Sequence, residues 1–156
     1  MKVVDILHEE CIKVELESRG KEVIIKELIE LLAKSPSVTN IDAISRSVFE
    51  RERTMSTGIG NGMAIPHGKS AGVSNLSAAF GMIKEGADFD AIDKRPVYIF
   101  ILLASPEGPG GPHIKALSRI SRMLNKSFFR EKLLTCRTPG EVFQCIKEEE
   151  KDYFEM

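Results

Sequence analysis

An α/β fold is predicted by three features of the sequence. Two segments alternate apolar with polar or small residues, and a third is continuously apolar and rich in β-formers. Between them lie stretches whose apolar residues recur every three to four positions. Strands interleaved with helices imply a mixed sheet with helices on both faces. The chain has 156 residues. That fits a single domain, residues 1–156, because ~100–200 residues make one domain.

The elements follow in order. Ile12, Val14 and Leu16 alternate with Lys13, Glu15 and Glu17, which predicts a strand over 12–17 with one wet face. Residues 21–34 carry Ile24, Leu28, Leu31 and Leu32 at helical spacing, with Ile25 and Ile29 beside them; Ser35-Pro36 stops this helix. A second helix is expected to open at Thr39 with Asp42 as its capping pair, and to run through Ile41, Ile44 and Val48 towards Arg53.

The pattern then breaks. Residues 54–75 hold Gly58, Gly60, Gly62, Gly68 and Gly72 together with Pro66, which excludes a helix interior. A short strand over 63–65 fits inside this long loop, and long loops in compact domains are commonly functional. Leu76, Ala78, Phe80 and Met82 alternate, so a strand is expected over 76–83. Residues 88–95 read as a polar turn. The apolar run 97–103 reads as a central strand covered on both faces, antiparallel to the one before it. A second Gly/Pro loop, 105–112, leads to a helix whose buried stripe is expected to be Ile114, Leu117, Ile120 and Leu124. A helical piece near 128–134 follows. The last helix opens at Thr138-Pro139-Gly140-Glu141, and its charge run 147–152 reads as a solvated, fraying end.

Composition excludes several classes of function. The chain has 22 basic and 23 acidic residues, a net charge of −1, which argues against a nucleic-acid binder held by bulk electrostatics. The longest apolar run, residues 97–104, falls far short of the ~20 residues that span a bilayer. No secretory-signal pattern opens the chain, so a soluble, cytoplasmic protein without membrane insertion is expected. Cys11, Cys136 and Cys145 show no CxxC spacing; they read as small apolar residues rather than a disulfide framework or a metal site.

Three histidines are present. His8 reads as a surface residue. His67 lies in Ala64-Ile65-Pro66-His67-Gly68, where Pro66 stiffens the chain and Gly68 removes a neighbouring Cβ, so one ring is presented rigidly and without clutter. His113 follows Gly110-Gly111-Pro112 at the start of an amphipathic helix, a place whose free N–H groups suit a phosphate or carboxylate. Arg51 and Arg53 end the second helix; either could stay wet or turn a guanidinium fork towards phosphate oxygens. Two histidines, an arginine and a helix N-terminus are the parts of a metal-free phosphoryl-transfer site. A neutral imidazole is a good nucleophile near pH 7. No GxxxxGK[ST] loop is present, and Gly58-Ile59-Gly60-Asn61-Gly62 lacks the GxGxxG pattern and follows a helix, so a nucleotide fold is rejected.

The run Glu50-Arg51-Glu52-Arg53-Thr54-Met55-Ser56-Thr57-Gly58-Ile59-Gly60-Asn61-Gly62-Met63-Ala64-Ile65-Pro66-His67-Gly68 resembles the signature of the type-2 enzyme IIA domain of the bacterial phosphotransferase system, the fructose, mannitol and nitrogen-regulatory class. His113-Ile114-Lys115-Ala116-Leu117-Ser118 resembles that family's second histidine motif, and the likeness extends over nearly the whole chain. The resemblance implies a mixed five-stranded sheet and a phosphohistidine carrier that uses no cofactor and no metal. Its acceptor falls on His67, its second active-site histidine on His113 and its arginine on Arg51. One departure is the loop 105–112, richer in Gly and Pro than the family leads one to expect, which would reshape the partner-facing rim.

As the resemblance implies, His67 takes a phosphoryl group from a phosphorylated HPr-type protein, with His113 and Arg51 holding the oxygens. The group then passes to a cysteine of a IIB protein, or its presence regulates a target protein. A nitrogen-regulatory role leads, because the chain ends where the single domain ends. A free-standing sugar-specific IIA and a non-phosphorylated binding module are the alternatives. The nearby arginine and helix N-terminus are expected to hold the His67 pKa below ~6.5.

Overall fold

Six strands form the sheet of this protein, whose computed structural model describes residues 2–154. They are β1 (Leu7–Lys13), β2 (Gly58–Gly60), β3 (Met63–Ala64), β4 (His67–Lys69), β5 (Ser77–Ala87) and β6 (Val97–Ser105). The helices are α1 (Val3–Ile6), α2 (Lys21–Leu32), α3 (Ile41–Thr54), α4 (Gly111–Leu124), α5 (Ser127–Thr135) and α6 (Pro139–Phe154). The strand order is β1-β5-β6-β3-β2, with β4 also paired to β6. β5 and β6 are antiparallel, as the sequence predicts; β1 is parallel to β5, and β3 and β4 are parallel to β6.

The α/β class holds, and the strand count of five becomes six. One edge of β6 is lined in succession by β3, opposite Ile99 and Phe100, and by β4, opposite Leu103 to Ser105. Pro66 lies between them. It has no N–H to give the ladder, so the edge is split in two, although its carbonyl still accepts from Leu103 N at 2.9 Å. The Gly-rich segment thus supplies three short strands to the sheet.

β6 is buried at every position except the half-buried Tyr98, so both of its faces are covered. α2 packs across β1, β5 and β6, α3 against β4, and α6 against β1. Phe89 and Phe100 meet edge-on, with ring centroids 5.4 Å apart, inside this core.

Several boundaries and faces differ from expectation. The first strand covers 7–13 rather than 12–17, and its register slips between Leu7 and Ile12, which blurs the alternation. Leu16 still points inward: it is fully buried, its N–H bonds to the Met82 carbonyl at 2.9 Å, and it fills the space where Gly81 has no side chain. His8 is exposed, as expected, but on a strand. The cap of α3 is Asn40, whose Oδ1 accepts from Ala43 N at 3.1 Å, because the Thr39 N–H and hydroxyl both go to the Gly72 carbonyl. The buried stripe of α4 is His113, Ala116, Ile120, Met123 and Leu124, while Ile114 is 66% exposed. Turning His113 inward carries Ile114, one residue on, out to solvent.

The charge run of α6 is not uniformly wet. Glu150 is completely buried and accepts hydrogen bonds from Val3 N at 2.6 Å and Val4 N at 3.0 Å. A solvated end was expected; here the last helix ties down the first residues of the chain. Cys11, Cys136 and Cys145 are buried free thiols.

Candidate active site

His67 and His113 come together at the C-terminal end of β6. His67 opens β4 opposite Leu103, and His113 sits in the first turn of α4, eight residues beyond Ser105. Their ring centroids lie 5.3 Å apart with the planes tilted by 55°. The crevice beyond the carboxyl ends of strands is where open α/β sheets usually place their chemistry.

The His67 ring is set by the backbone. Its Nδ1 lies 2.8 Å from the Ile65 carbonyl. A carbonyl can only accept, so Nδ1 carries the hydrogen and Nε2 is left as a free base. Pro66 fixes the turn between the two partners. Gly68 lets β4 lie against α3: a Cβ there would stand 2.6 Å from Ser47 Oγ and 3.0 Å from the α3 backbone. The Ser47 hydroxyl donates to the Lys69 carbonyl across the same contact.

His113 is set by a side chain. Its Nδ1 lies 2.6 Å from Ser105 Oγ, and both residues are buried. The Ser105 carbonyl accepts from Ser70 N at 2.8 Å, which joins this end of β6 to the chain leaving β4. A cleft of about 260 Å³ opens between Ser105, Glu107, Pro112 and His113. No side chain caps α4, and its second residue, Pro112, has no N–H.

Arg51 is half-buried in the last turn of α3, and its Nη1 donates to the Met55 carbonyl at 2.7 Å. Arg53 is exposed, so of the two arginines it is the one that stays wet. Burial lowers the His67 pKa from 6.5 and the Arg51 charge lowers it further; the Ile65 hydrogen bond and Glu52 oppose them. The His113 pKa is pushed down to about 4, by burial first, then by His67 and by Lys69. Both rings are therefore neutral at pH 7, the state a nucleophile needs and one in which the second ring still has an N–H to donate.

Two further residues belong to this neighbourhood. Lys69 lies two positions past His67; its Nζ reaches the Gly108 carbonyl at 3.4 Å and stands beside Gly110, where an added Cβ would meet it at 2.8 Å. It brings a cation to the start of α4. Glu52 is buried, although it sits in a run of charged residues that resembles a wet helix end. The signal for Lys69 was its place directly after the His-Gly pair; Glu52 carried none. Among the described residues, no group of three or more His, Cys, Asp or Glu side chains gathers to hold a metal ion.

Comparison with known proteins adds a lineage to this geometry. The sequence profile of the phosphoenolpyruvate-dependent sugar phosphotransferase system EIIA 2 family matches residues 5–149. The chain is 36% identical over 151 residues to the fructose-specific EIIABC component of Bacillus subtilis (strain 168), covering 97% of this chain and 24% of that protein. It therefore spans about a quarter of that relative's length. It is 32% identical over 148 residues to the nitrogen regulatory protein of Bradyrhizobium diazoefficiens, covering 94% of this chain and 95% of that protein. Among solved structures, nitrogen regulatory protein IIA-Ntr from Neisseria meningitidis superposes with a TM-score of 0.84 at 33% identity, over 92% of this chain and 98% of that one.

Proposed function

This chain belongs to the EIIA 2 family of the phosphoenolpyruvate-dependent sugar phosphotransferase system, and we propose that it carries the phosphoryl group on His67 Nε2. The observation that supports this most directly is the bond from His67 Nδ1–H to the Ile65 carbonyl, which leaves Nε2 unprotonated beside a second neutral histidine.

The transfer is an in-line exchange of one P–N bond for another. Nε2 of His67 attacks the phosphorus of a phosphohistidine on an HPr-type donor. The donor's imidazole nitrogen leaves with the bonding pair, and the phosphoryl group travels with little covalent help from the protein. The protein's part is to hold the oxygens. Nε2–H of His113 donates to one of them, which requires Nδ1 of His113 to accept from the Ser105 hydroxyl. Arg51 contributes its charge, as does Lys69 from the α4 side. The attacking ring is neutral above its lowered pKa, so transfer proceeds without a prior deprotonation step.

The protein then acts as a nitrogen-regulatory-type IIA in the cytoplasm, its phosphorylation state read by a target protein. Support comes from the match to the Bradyrhizobium and Neisseria proteins over nearly their full lengths. The fructose-specific relative supports a second reading, in which a IIB cysteine takes the group onward to a sugar. Incubation with a phosphorylated HPr-type donor, followed by mass spectrometry, tests the carrier role. An acid-labile phosphate on His67, absent in His67→Ala, is expected; a phosphoserine, or labelling that survives in His67→Ala, rejects it. Removal of the label by a IIB protein favours the sugar branch, and retention favours the regulatory one.

A further inference from the structure

The nucleophile's orientation has a root well away from the two rings. We propose that Glu52 is a positioning residue for His67, acting through Thr57 and the Ile65 peptide to hold the ring in its Nδ1–H tautomer. The inference rests on the carrier reading for its consequence in rate, but not for its consequence at the ring.

The chain of contacts is continuous. Glu52 Oε1 accepts from Thr57 N at 3.0 Å, and its Oε2 accepts from the Thr57 hydroxyl at 2.5 Å. The Thr57 carbonyl accepts from Ile65 N at 3.0 Å. On the other side of that same residue, the Ile65 carbonyl accepts from His67 Nδ1 at 2.8 Å. Thr57 precedes β2, so the carboxylate on α3 sets where the β2–β3 hairpin lies and, with it, where the Ile65 carbonyl points.

A carboxylate is an expensive choice for a scaffold. Glu52 is only 6% exposed, and a buried charge is tolerated only when it is paired and its lone pairs are used. Here Lys21, at the start of α2, lies 2.8 Å from Oε1, and its ammonium also stands over the Phe89 ring at 5.2 Å. Three donors thus converge on one side chain: a main-chain N–H, a hydroxyl and an ammonium. A neutral amide offers a single acceptor oxygen and cannot satisfy all three. Charge adds a second effect. The groups acting electrostatically on the His67 ring are Arg51 and Glu52 from α3, and it couples to His113 from α4. Among these Glu52 alone is anionic, and it restores basicity to a ring that burial and Arg51 reduce.

Nitrogen-15 NMR of the two imidazoles in the intact protein tests this without any phosphoryl donor. In Glu52→Gln, His67 is expected to become a mixture of tautomers and to titrate lower than in the wild type, while His113 keeps its tautomer. Glu50→Gln, an exposed change on the same helix, should leave both rings as they are. Potassium phosphoramidate supplies the kinetic arm: its P–N bond breaks, ammonia leaves and the bond to Nε2 forms. At pH 8, where both rings are neutral, Glu52→Gln should accept roughly ten- to a hundred-fold more slowly, as expected for a small misplacement of the attacking atom. Should Glu52→Gln fail to fold, Thr57→Val removes only the hydroxyl arm, and a smaller change of the same sign is expected. A folded Glu52→Gln, or failing that Thr57→Val, whose His67 keeps the wild-type tautomer and titration overturns the proposal. A wild-type protein that takes no phosphate overturns the carrier reading instead and leaves the ring result standing.

Discussion

The two histidines are held by different kinds of partner. His67 gives its Nδ1 hydrogen to a peptide carbonyl, which can only accept, so its tautomer is dictated. His113 shares its Nδ1 with the Ser105 hydroxyl, which can donate or accept, so its tautomer can change without the ring moving. On the proposed reading, one site therefore combines a nucleophile with a single presentation and a neighbour able to follow the charge that arrives. The first belongs on a sheet edge, where the main chain is available; the second suits a helix, whose own carbonyls are taken up internally.

That contrast can be broken most completely at His67. His67→Ala should abolish phosphoryl acceptance from a phospho-HPr donor while leaving the far-ultraviolet circular dichroism unchanged. His113→Ala should leave acceptance measurable but slower by roughly 10²–10³, the usual cost of one preorganised donor. Equal loss in the two variants would mean that the rings share one role.

Stability separates the rings by pH. A histidine kept neutral in the fold but free to protonate when unfolded contributes its full stability above pH ~6.5, and loses it as the pH falls towards the folded value. For His113, whose folded value is about 4, the loss between pH 6.5 and 4 should come to roughly 3 kcal/mol. Urea denaturation at pH 7, 5.5 and 4 reads it, and His113→Asn should flatten the slope. Once His67 carries phosphate, the added negative charge should raise the His113 titration, and an unchanged value would show that the two rings are not electrically coupled.

The smaller effects act on the supports. Ser105→Ala removes the partner of His113 and should cost about 1–3 kcal/mol of stability, because a buried ring nitrogen is left unpaired. It should also slow transfer while the His67 tautomer stays as it is. Arg51→Lys should slow transfer about tenfold or less, since an ammonium supplies charge but not the planar fork; single-turnover rates with a phospho-donor measure it.

The two candidate histidines were legible because each bears a local signature. Pro-His-Gly and Gly-Gly-Pro-His are short patterns, and local sterics give them meaning; an arginine at a helix end has no such mark, and Arg51 was separated from Arg53 only by the resemblance. The core strand at 97–103 was legible too, since eight consecutive apolar residues (97–104) need cover on both faces wherever they lie. The face of α4 was misread. Ile114 and His113 are neighbours in sequence, and hydropathy put the isoleucine inside; the pairing with Ser105 on another element turned the histidine in instead. Glu150 was misread for the same reason, and Glu52 drew no reading at all. Each stands among charged neighbours, and its partners, the Val3 and Val4 amides or Thr57 and Lys21, are supplied by other elements.

The amino-acid sequence alone determined the α/β class, the α2 helix, the antiparallel pair and the two candidate histidines, because these depend on periodicity and on the conformational limits of Gly and Pro within a few positions, whereas Arg51 was singled out over Arg53 by the family resemblance. Only the tertiary structure decided how many strands share the sheet, which nitrogen of His67 is free, which carboxylates are buried and which side of α4 faces the site. Hydrogen-bond partners and burial come from residues distant in the chain, and a buried polar group is explained only by the group that satisfies it.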